Sequence, residues 1–91
     1  MNTNKLLKVD IVTPQKTIYS GMAASVSVPG RKSPFQVLFN HAPIVSTLDD
    51  GIIKIVDENG KTLRFNSRNG FVEVRTNTVS ILVENAAEIA E

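Results

Sequence analysis

The chain contains a single histidine, His41, and this side chain is the first candidate for chemistry. It lies in the stretch NHAPIVSTLDDG, which runs from Asn40 to Gly51 and contains an apolar run followed by an acidic turn. An imidazole in such a position can serve as a general base, ligate a metal ion or present a polar group to a partner. The choice among these three roles decides whether the chain is an enzyme.

A catalytic or metal-binding role for His41 finds little support in the rest of the sequence. Ser33 and Ser46 are near in sequence, but nothing indicates that a serine and an aspartate converge on the ring as a triad requires. There is no cysteine and no second histidine to share a metal ion. The paired acids at 49–50 and 57–58 lie in turns, where carboxylates usually bond to the local backbone. We therefore expect no catalytic residue, no metal and no cofactor.

The composition also argues against nucleic-acid binding and membrane insertion. The formal net charge is +1, far from the strongly basic balance of a nucleic-acid-binding domain. Phe35, Phe39 and Phe65 share the parity of core-type neighbours, so we expect them to pack inside the domain rather than stack on bases. No apolar run approaches the ~18 residues of a membrane span, and the N-terminus does not resemble a signal peptide. We expect one domain that stays in the compartment where it is made.

The charges are unevenly distributed along the chain. Residues 49–91 hold five basic and eight acidic side chains. Residues 1–48 hold one acid, Asp10, and five basic side chains, Lys5, Lys8, Lys16, Arg31 and Lys32. Such an asymmetry can orient a docking partner, although it also fits an ordinary solvated surface.

Apolar and polar residues alternate through most of the chain, which predicts half-buried β-strands. Asn-Gly pairs at 59–60 and 69–70 predict hairpin turns, because glycine tolerates a positive φ. Many short strands with frequent turns predict an all-β fold, a flattened antiparallel sandwich or barrel. The predicted inward-facing runs are Leu7-Val9-Ile11, Met22-Ala24-Val26-Val28, Phe35-Val37-Phe39, Ile53-Ile55, Leu63-Phe65, Val72-Val74 and Val79-Ile81-Val83.

The last residues have a different character. The stretch ENAAEIAE, Glu84 to Glu91, is rich in helix formers. Asn85 followed three residues later by Glu88 fits the start of a helix. We therefore predict a sandwich domain over residues 1–84 and a short helical tail over residues 85–91.

Five stretches, in this order and spacing, resemble the N-terminal domain of the epsilon subunit of F-type ATP synthase. They are LKVDIVTPQKTIYSG (6–21), SVSVPG (25–30), NHAPIVSTLDDGIIKI (40–55), NGFVEV (69–74) and TVSILVENAAEIAE (78–91). The resemblance implies a flattened β-sandwich of two sheets that performs no chemistry itself. It implies a rotor subunit at the foot of the central stalk, which links the gamma subunit to the membrane c-ring and so couples ion translocation to ATP synthesis. It also implies a peripheral membrane protein on the cytoplasmic face of a bacterial inner membrane.

The resemblance further implies which residues meet each partner. At the c-ring end we expect Arg31, Lys32, Pro34 and His41. Near gamma we expect Thr13 and Ser46. For His41 a second interpretation stays open, in which the ring is hydrogen-bonded within its own turn, because interface and turn polar groups use the same donors.

The sequence departs from the family in two places. The loop RKSPFQVLFN between Gly30 and His41 is basic where family members usually have an acidic loop, and Phe39-Asn40 stands where Pro-Gly is usual. Most members also carry a C-terminal helical hairpin that can restrain ATP hydrolysis. The sequence reaches Glu91, where that hairpin is expected to begin, so we expect a subunit without the hairpin, without this restraint and without nucleotide binding.

One alternative from another class stays open. A free-standing β-sandwich module that binds a carbohydrate or a peptide would have a similar strand pattern. Such a module needs a groove with exposed aromatic side chains. The aromatic content of 5% favours the rotor subunit over this alternative.

Overall fold

The computed structural model describes residues 5–90, and seven β-strands lie in this range. The strands alternate buried and exposed side chains over most of their length, so the predicted all-β class is confirmed. No helix that could cross a membrane is found in this part of the chain. The strands are β1 (Leu7–Val12), β2 (Thr17–Val28), β3 (Phe35–Val37), β4 (Ile44–Leu48), β5 (Gly51–Asp57), β6 (Thr62–Arg75) and β7 (Thr78–Glu88).

The hydrogen-bonded pairings form a closed circuit. The order β1-β7-β6-β5-β2 returns to β1, while β3 pairs with β2 and β4 pairs with β6. Each pair is antiparallel except β1–β7, which is parallel from Lys8 opposite Thr78 to Val12 opposite Leu82. The sequence did not predict this parallel pair, because the first and last strands are not joined by a turn that would fix their direction. The sandwich itself agrees with the prediction.

One hydrophobic core fills the interior of this circuit. Phe65 is the largest fully buried side chain, and the ring of Tyr19 contacts it with centroids 5.7 Å apart. Phe35 is partly buried against the same core. The predicted packing role is therefore confirmed for Phe65 and Phe35, while Phe39 is half-buried just beyond β3.

The predicted facing of β2 is wrong in one part of the strand. Met22 and Ala24 are exposed, whereas Ala23 and Ser25 are buried. The register between β2 and β5 shifts between Ala23 and Ser25, and an extra residue in one strand moves the following side chains to the opposite face. From Val26 onward the strand follows the predicted parity.

The Asn59-Gly60 hairpin is confirmed between β5 and β6. Gly60 has a φ of 83°, which is the conformation that makes glycine useful in such turns. The Asp57 carboxylate accepts hydrogen bonds from the backbone N–H groups of Asn59 at 2.8 Å and Lys61 at 2.9 Å. This is the backbone-bonding role predicted for the turn acids.

The second Asn-Gly pair, at residues 69–70, does not form a hairpin. Both residues lie inside β6, with Asn69 at a φ of 41°. Up to Ser67 the strand pairs with β5, and from Gly70 it pairs with β4. The left-handed residue therefore marks a change of partner rather than a reversal, since β7 runs beside β6 on both sides of it. The hairpin that follows is made by Thr76 and Asn77, which both have positive φ without a glycine.

The predicted helical tail is not confirmed in the described residues. Strand β7 continues to Glu88, and residues 85–88 pair with residues 65–68 of β6. Ala86 is 7% exposed, and the N–H of Ile89 donates to the Arg64 carbonyl at 2.8 Å. The neighbouring strand thus overrides the local helix propensity. Glu91 lies outside the described residues, and a boundary at residue 84 stays a prediction, although β7 runs across it.

Candidate interaction surfaces

The loop that carries His41 is held by contacts from two directions. Asn40 has a φ of 66°, and its N–H donates to the Asn77 side-chain oxygen at 2.6 Å. The Asn77 amide returns a bond to the Asn40 side chain at 3.3 Å. Within the loop the His41 N–H donates to the Leu38 carbonyl at 3.0 Å. The β6–β7 hairpin therefore fixes the position of the histidine loop.

The His41 ring has its own partners. Its Nδ1 lies 2.7 Å from the Ala42 carbonyl oxygen. Because a carbonyl can only accept, Nδ1 carries a proton and donates. The ring also stacks on Phe35, with centroids 6.3 Å apart and planes at 30°. The hydrogen bond within the turn, one of the two open interpretations of this residue, is thus present.

The nearby hydroxyl groups do not point to nucleophilic chemistry. Ser33 Oγ donates to the Pro34 carbonyl at 3.3 Å, and Ser46 Oγ donates to the Thr47 carbonyl at 3.1 Å. Within residues 5–90 no cluster of three or more His, Asp or Glu side chains could hold a metal ion. The arrangement presents polar groups at a surface rather than a nucleophile beside its base.

A surface groove, here named the cationic groove, brings several of the predicted residues together. Its volume is about 580 Å³. Lys32 and His41, predicted at the c-ring, share it with Ser46, predicted near gamma. It is lined by Lys32, Ser33, Phe35, His41, Ile44, Val45, Ser46 and Thr47.

A second groove, here named the apolar groove, lies on the outer face of the sheet. Its volume is about 470 Å³. Phe71 is 44% exposed and Leu82 is 40% exposed, and the two are register partners on β6 and β7. Leu82 also pairs with Val12 of β1. The lining residues are Val12, Thr13, Pro14, Asn69, Gly70, Phe71, Leu82, Val83 and Glu84.

The two grooves adjoin along the β4–β6 pair. Thr47 lines the cationic groove, and its register partner Phe71 lines the apolar groove. Opposite residues in a ladder present their side chains on the same face of the sheet. The surfaces predicted for two different partners are therefore contiguous rather than at separate ends of the domain.

The remaining predicted residues lie outside the cationic groove. Arg31 is exposed, and its Nε is 3.2 Å from the Asp49 carboxylate. Pro34 is exposed in the loop before β3. Thr13 is 7% exposed and closes the β1–β2 turn, where its hydroxyl donates to the Lys16 carbonyl at 3.1 Å and accepts from the Lys16 N–H. Thr13 lines the apolar groove, whereas Ser46 lines the cationic groove.

Sequence reasoning missed the exposed apolar side chains of this face. Leu82 occupies an outward position of β7, between the inward Ile81 and Val83, and Val45 on β4 is 69% exposed. Apolar residues at outward positions of an alternating strand were the available signal, because a solvated face normally carries polar side chains there. Exposed apolar patches are often contact surfaces in proteins.

Two titratable groups away from the grooves have shifted pKa values. The Lys8 ammonium, 2.8 Å from the carboxylate, lowers the pKa of Asp10, and Ser20 adds a smaller effect in the same direction. Burial raises the pKa of Tyr19, with smaller contributions from the charges of Asp57 and Glu58. Both shifts arise from packing and surface pairing, not from a reaction centre.

The structure defines the chain as a small closed β-sandwich with two surface grooves. Comparison with known families agrees with this class. Residues 6–89 match the family described as ATP synthase, Delta/Epsilon chain, beta-sandwich domain. The chain belongs to this family.

Individual relatives and solved structures support the same assignment. The ATP synthase epsilon chain of Leptospira interrogans (strain Fiocruz L1-130) is 43% identical over 88 residues, covering 96% of this chain and 67% of the relative. The chain thus spans about two thirds of that relative's length. In the Euglena gracilis mitochondrial ATP synthase (OSCP/F1/c-ring), one chain has a TM-score of 0.86 at 22% identity, covering 91% of this chain and 53% of that one. In the Tetrahymena thermophila mitochondrial ATP synthase (central stalk/c-ring), one chain has a TM-score of 0.72 at 21% identity, covering 89% and 65%.

Proposed function

We propose that this chain is a non-catalytic central-stalk subunit of an F-type ATP synthase, and that it links the gamma subunit to the membrane c-ring. The observation that carries the proposal is the family match over residues 6–89, together with relatives that are named ATP synthase epsilon chain. Structural similarity to chains of ATP synthase assemblies supports it at the level of the fold. In this role the domain transmits rotation, and ion translocation is thereby coupled to ATP synthesis.

The apolar groove is the proposed gamma contact, with Thr13 at its edge. Phe71 and Leu82 present apolar area that a free subunit leaves in water, and burying such area yields about 25 cal/mol per Å². Ser46 remains a proposed gamma contact, and it lines the cationic groove next to Thr47, whose register partner Phe71 lines the apolar groove. One continuous partner surface therefore suits a subunit that contacts two rotor components at once.

The cationic groove and the loop beside it are the proposed c-ring contact. Lys32 and His41 line the groove, while Arg31 and Pro34 lie in the adjoining loop. Through these contacts the subunit is held at the membrane, on the cytoplasmic face of a bacterial inner membrane, without entering the bilayer.

Recovery of partners tests the proposal directly. A tagged chain is expressed in cells of its own organism that lack the untagged copy, and membranes are solubilised in mild detergent. Gamma and the catalytic subunits are expected to co-purify, and ATP-driven pumping of the coupling ion into inverted vesicles should return when the chain is restored. If the properly folded chain recovers no ATP synthase subunit, the proposal is wrong.

A matched pair of variants tests the apolar groove. Leu82→Asp places a charge in the apolar groove, at a site that is 40% exposed. Ile52→Asp places the same charge on β5, at a site that is 44% exposed and lies outside both grooves. We expect Leu82→Asp to lose gamma while Ile52→Asp keeps it. Circular dichroism establishes that both variants are folded, and equal binding of the two would move the gamma contact elsewhere.

A further inference from the structure

The cationic groove carries a positive charge that the described part of the chain does not neutralise. None of its lining residues is acidic. Arg31, next in sequence, already has the Asp49 carboxylate at 3.2 Å. Lys32 makes no ion pair with any residue in the range 5–90. The sequence holds no Asp or Glu between Asp10 and Asp49.

The rest of the groove can accept a carboxylate by rotation of side-chain hydroxyls alone. The Ser33 and Ser46 hydroxyls each donate to the carbonyl of the next residue on an exposed surface. Such hydroxyls can rotate to donate to an incoming oxygen instead. Phe35 and His41 form a stacked wall beside them. The groove thus offers one cation and two hydroxyl donors next to an aromatic surface.

The exposed apolar residues at the groove restrict the kind of ligand. Val45 is 69% exposed and Ile44 is 36% exposed. A free small anion would leave both in water, whereas a polypeptide loop with an apolar side chain beside its carboxylate would cover them. One unpaired lysine is also too little for an anionic membrane surface, which recognises clusters of basic side chains at about 1 kcal/mol each.

We propose that the cationic groove receives an acidic loop of the c-ring, with a carboxylate of that loop paired to Lys32. This inference rests on the proposed function, because it names the chemistry of a partner that the function requires. The charge of the cationic groove then selects the partner, because an acidic loop is attracted and a loop that presents lysine or arginine there is repelled.

Carbodiimide cross-linking tests the contact itself. This reagent joins an amine to a carboxylate only where the two already touch, and it does not couple a guanidinium. In the purified holoenzyme we expect a cross-linked peptide that joins Lys32 to an Asp or Glu of the c-ring. Lys32→Arg should keep the subunit bound and lose this peptide. If wild-type enzyme with the subunit bound yields no cross-link from Lys32 while other lysines react, the inference is wrong.

Charge reversal gives the energetic test. Lys32→Glu should weaken binding to synthase depleted of this subunit by about 3- to 10-fold at low salt, as expected for one exposed ion pair replaced by repulsion. The difference should shrink at ~1 M salt, where the screening length falls to ~3 Å. Lys61→Glu, in the β5–β6 turn, makes the same change of net charge away from the groove and should bind as wild type does. Equal affinities of the two variants contradict the inference.

Different outcomes distinguish failure of the proposed function from failure of the acidic-loop inference. If wild-type protein does not bind the depleted synthase, the proposed function fails. If wild-type protein binds and Lys32→Glu binds equally well, only the acidic partner loop is excluded. If wild-type protein binds phosphatidylserine vesicles, and Lys32→Glu abolishes this while synthase binding is unchanged, the groove serves a lipid surface and the inference is overturned.

Discussion

Replacing Gly70 by alanine should destabilise the domain more than replacing Gly60 by alanine. Gly70 lies where β6 leaves β5 and joins β4, with β7 alongside. A methyl group at this position would lie against the Leu82 carbonyl oxygen and 2.7 Å from the Cα of Val83. These are backbone atoms of a paired strand, so no side-chain rotation can relieve the clash.

The size of the effect follows from that geometry. An overpacked site typically costs ~1–3 kcal/mol, and obstruction by backbone places Gly70→Ala near the upper end, at about 3 kcal/mol. A domain of this length has a total stability of roughly 5–14 kcal/mol. A loss of 1 kcal/mol lowers the Tm of such a domain by ~4–8 °C, so Gly70→Ala should lower it by roughly 12–24 °C.

Gly60→Ala is the matched control for this prediction. Gly60 has a φ of +83° and no atom within 4 Å of an added methyl group, so the change introduces only left-handed strain of ~1–2 kcal/mol. Urea and thermal unfolding followed by circular dichroism compare the three proteins. If Gly70→Ala loses no more stability than Gly60→Ala, the close approach of β6 to β7 does not constrain this position and the reasoning is refuted.

Three further predictions concern buried and titrating groups. Ser67→Ala should cost about 1–2 kcal/mol in urea unfolding, because the buried hydroxyl donates to the Gly51 carbonyl at 3.0 Å; a neutral result would mean that this bond adds nothing. Tyr19 is the only tyrosine, so tyrosinate absorbance should show a midpoint above the ordinary value of 10.0, where burial raises its pKa, and a midpoint at or below 10.0 contradicts the packing. The pKa of Asp10 is lowered in the folded protein, so its carboxylate contributes stability that is fully present above the ordinary carboxyl pKa and is lost as pH falls through the folded pKa. The wild-type protein should therefore be more stable than Asp10→Asn at neutral pH and equally stable in acid. A stability difference that does not change with pH would be evidence against the Lys8 pair.

Much of the fold was predictable because burial on one face of a strand leaves a period-two pattern. Val79, Ile81 and Val83 of β7 are all buried as their alternation predicted. The errors fall where the pairing of distant strands decides the outcome. The bulge in β2 reverses the facing of Ala23 and Ala24, and nothing in the local sequence marks it. The helix-prone residues after Glu84 form strand for the same reason.

The candidate surfaces were predictable only in part. Proximity in the chain and the resemblance placed Lys32 and His41 together, and they share one groove. The Asn40–Asn77 contact that holds their loop joins positions far apart in sequence, so no local pattern reveals it. Likewise, Phe71 and Leu82 become one surface only through the pairing of β6 with β7. How the two grooves adjoin is thus a property of the assembled sheet.

Because β1 pairs with β7, the strand circuit cannot close until nearly all of the described chain has been synthesised. Lys8 must meet Thr78 before the circuit can close, and such distant contacts make folding slow, on the order of milliseconds to seconds. Ribosomes add ~5–20 residues per second, so β1, which ends at Val12, is made seconds before β7, which begins at Thr78. During that interval the edge of β1 that will pair with β7 is available to other extended chains. Pairing of β7 with β1 closes the circuit and removes this open edge.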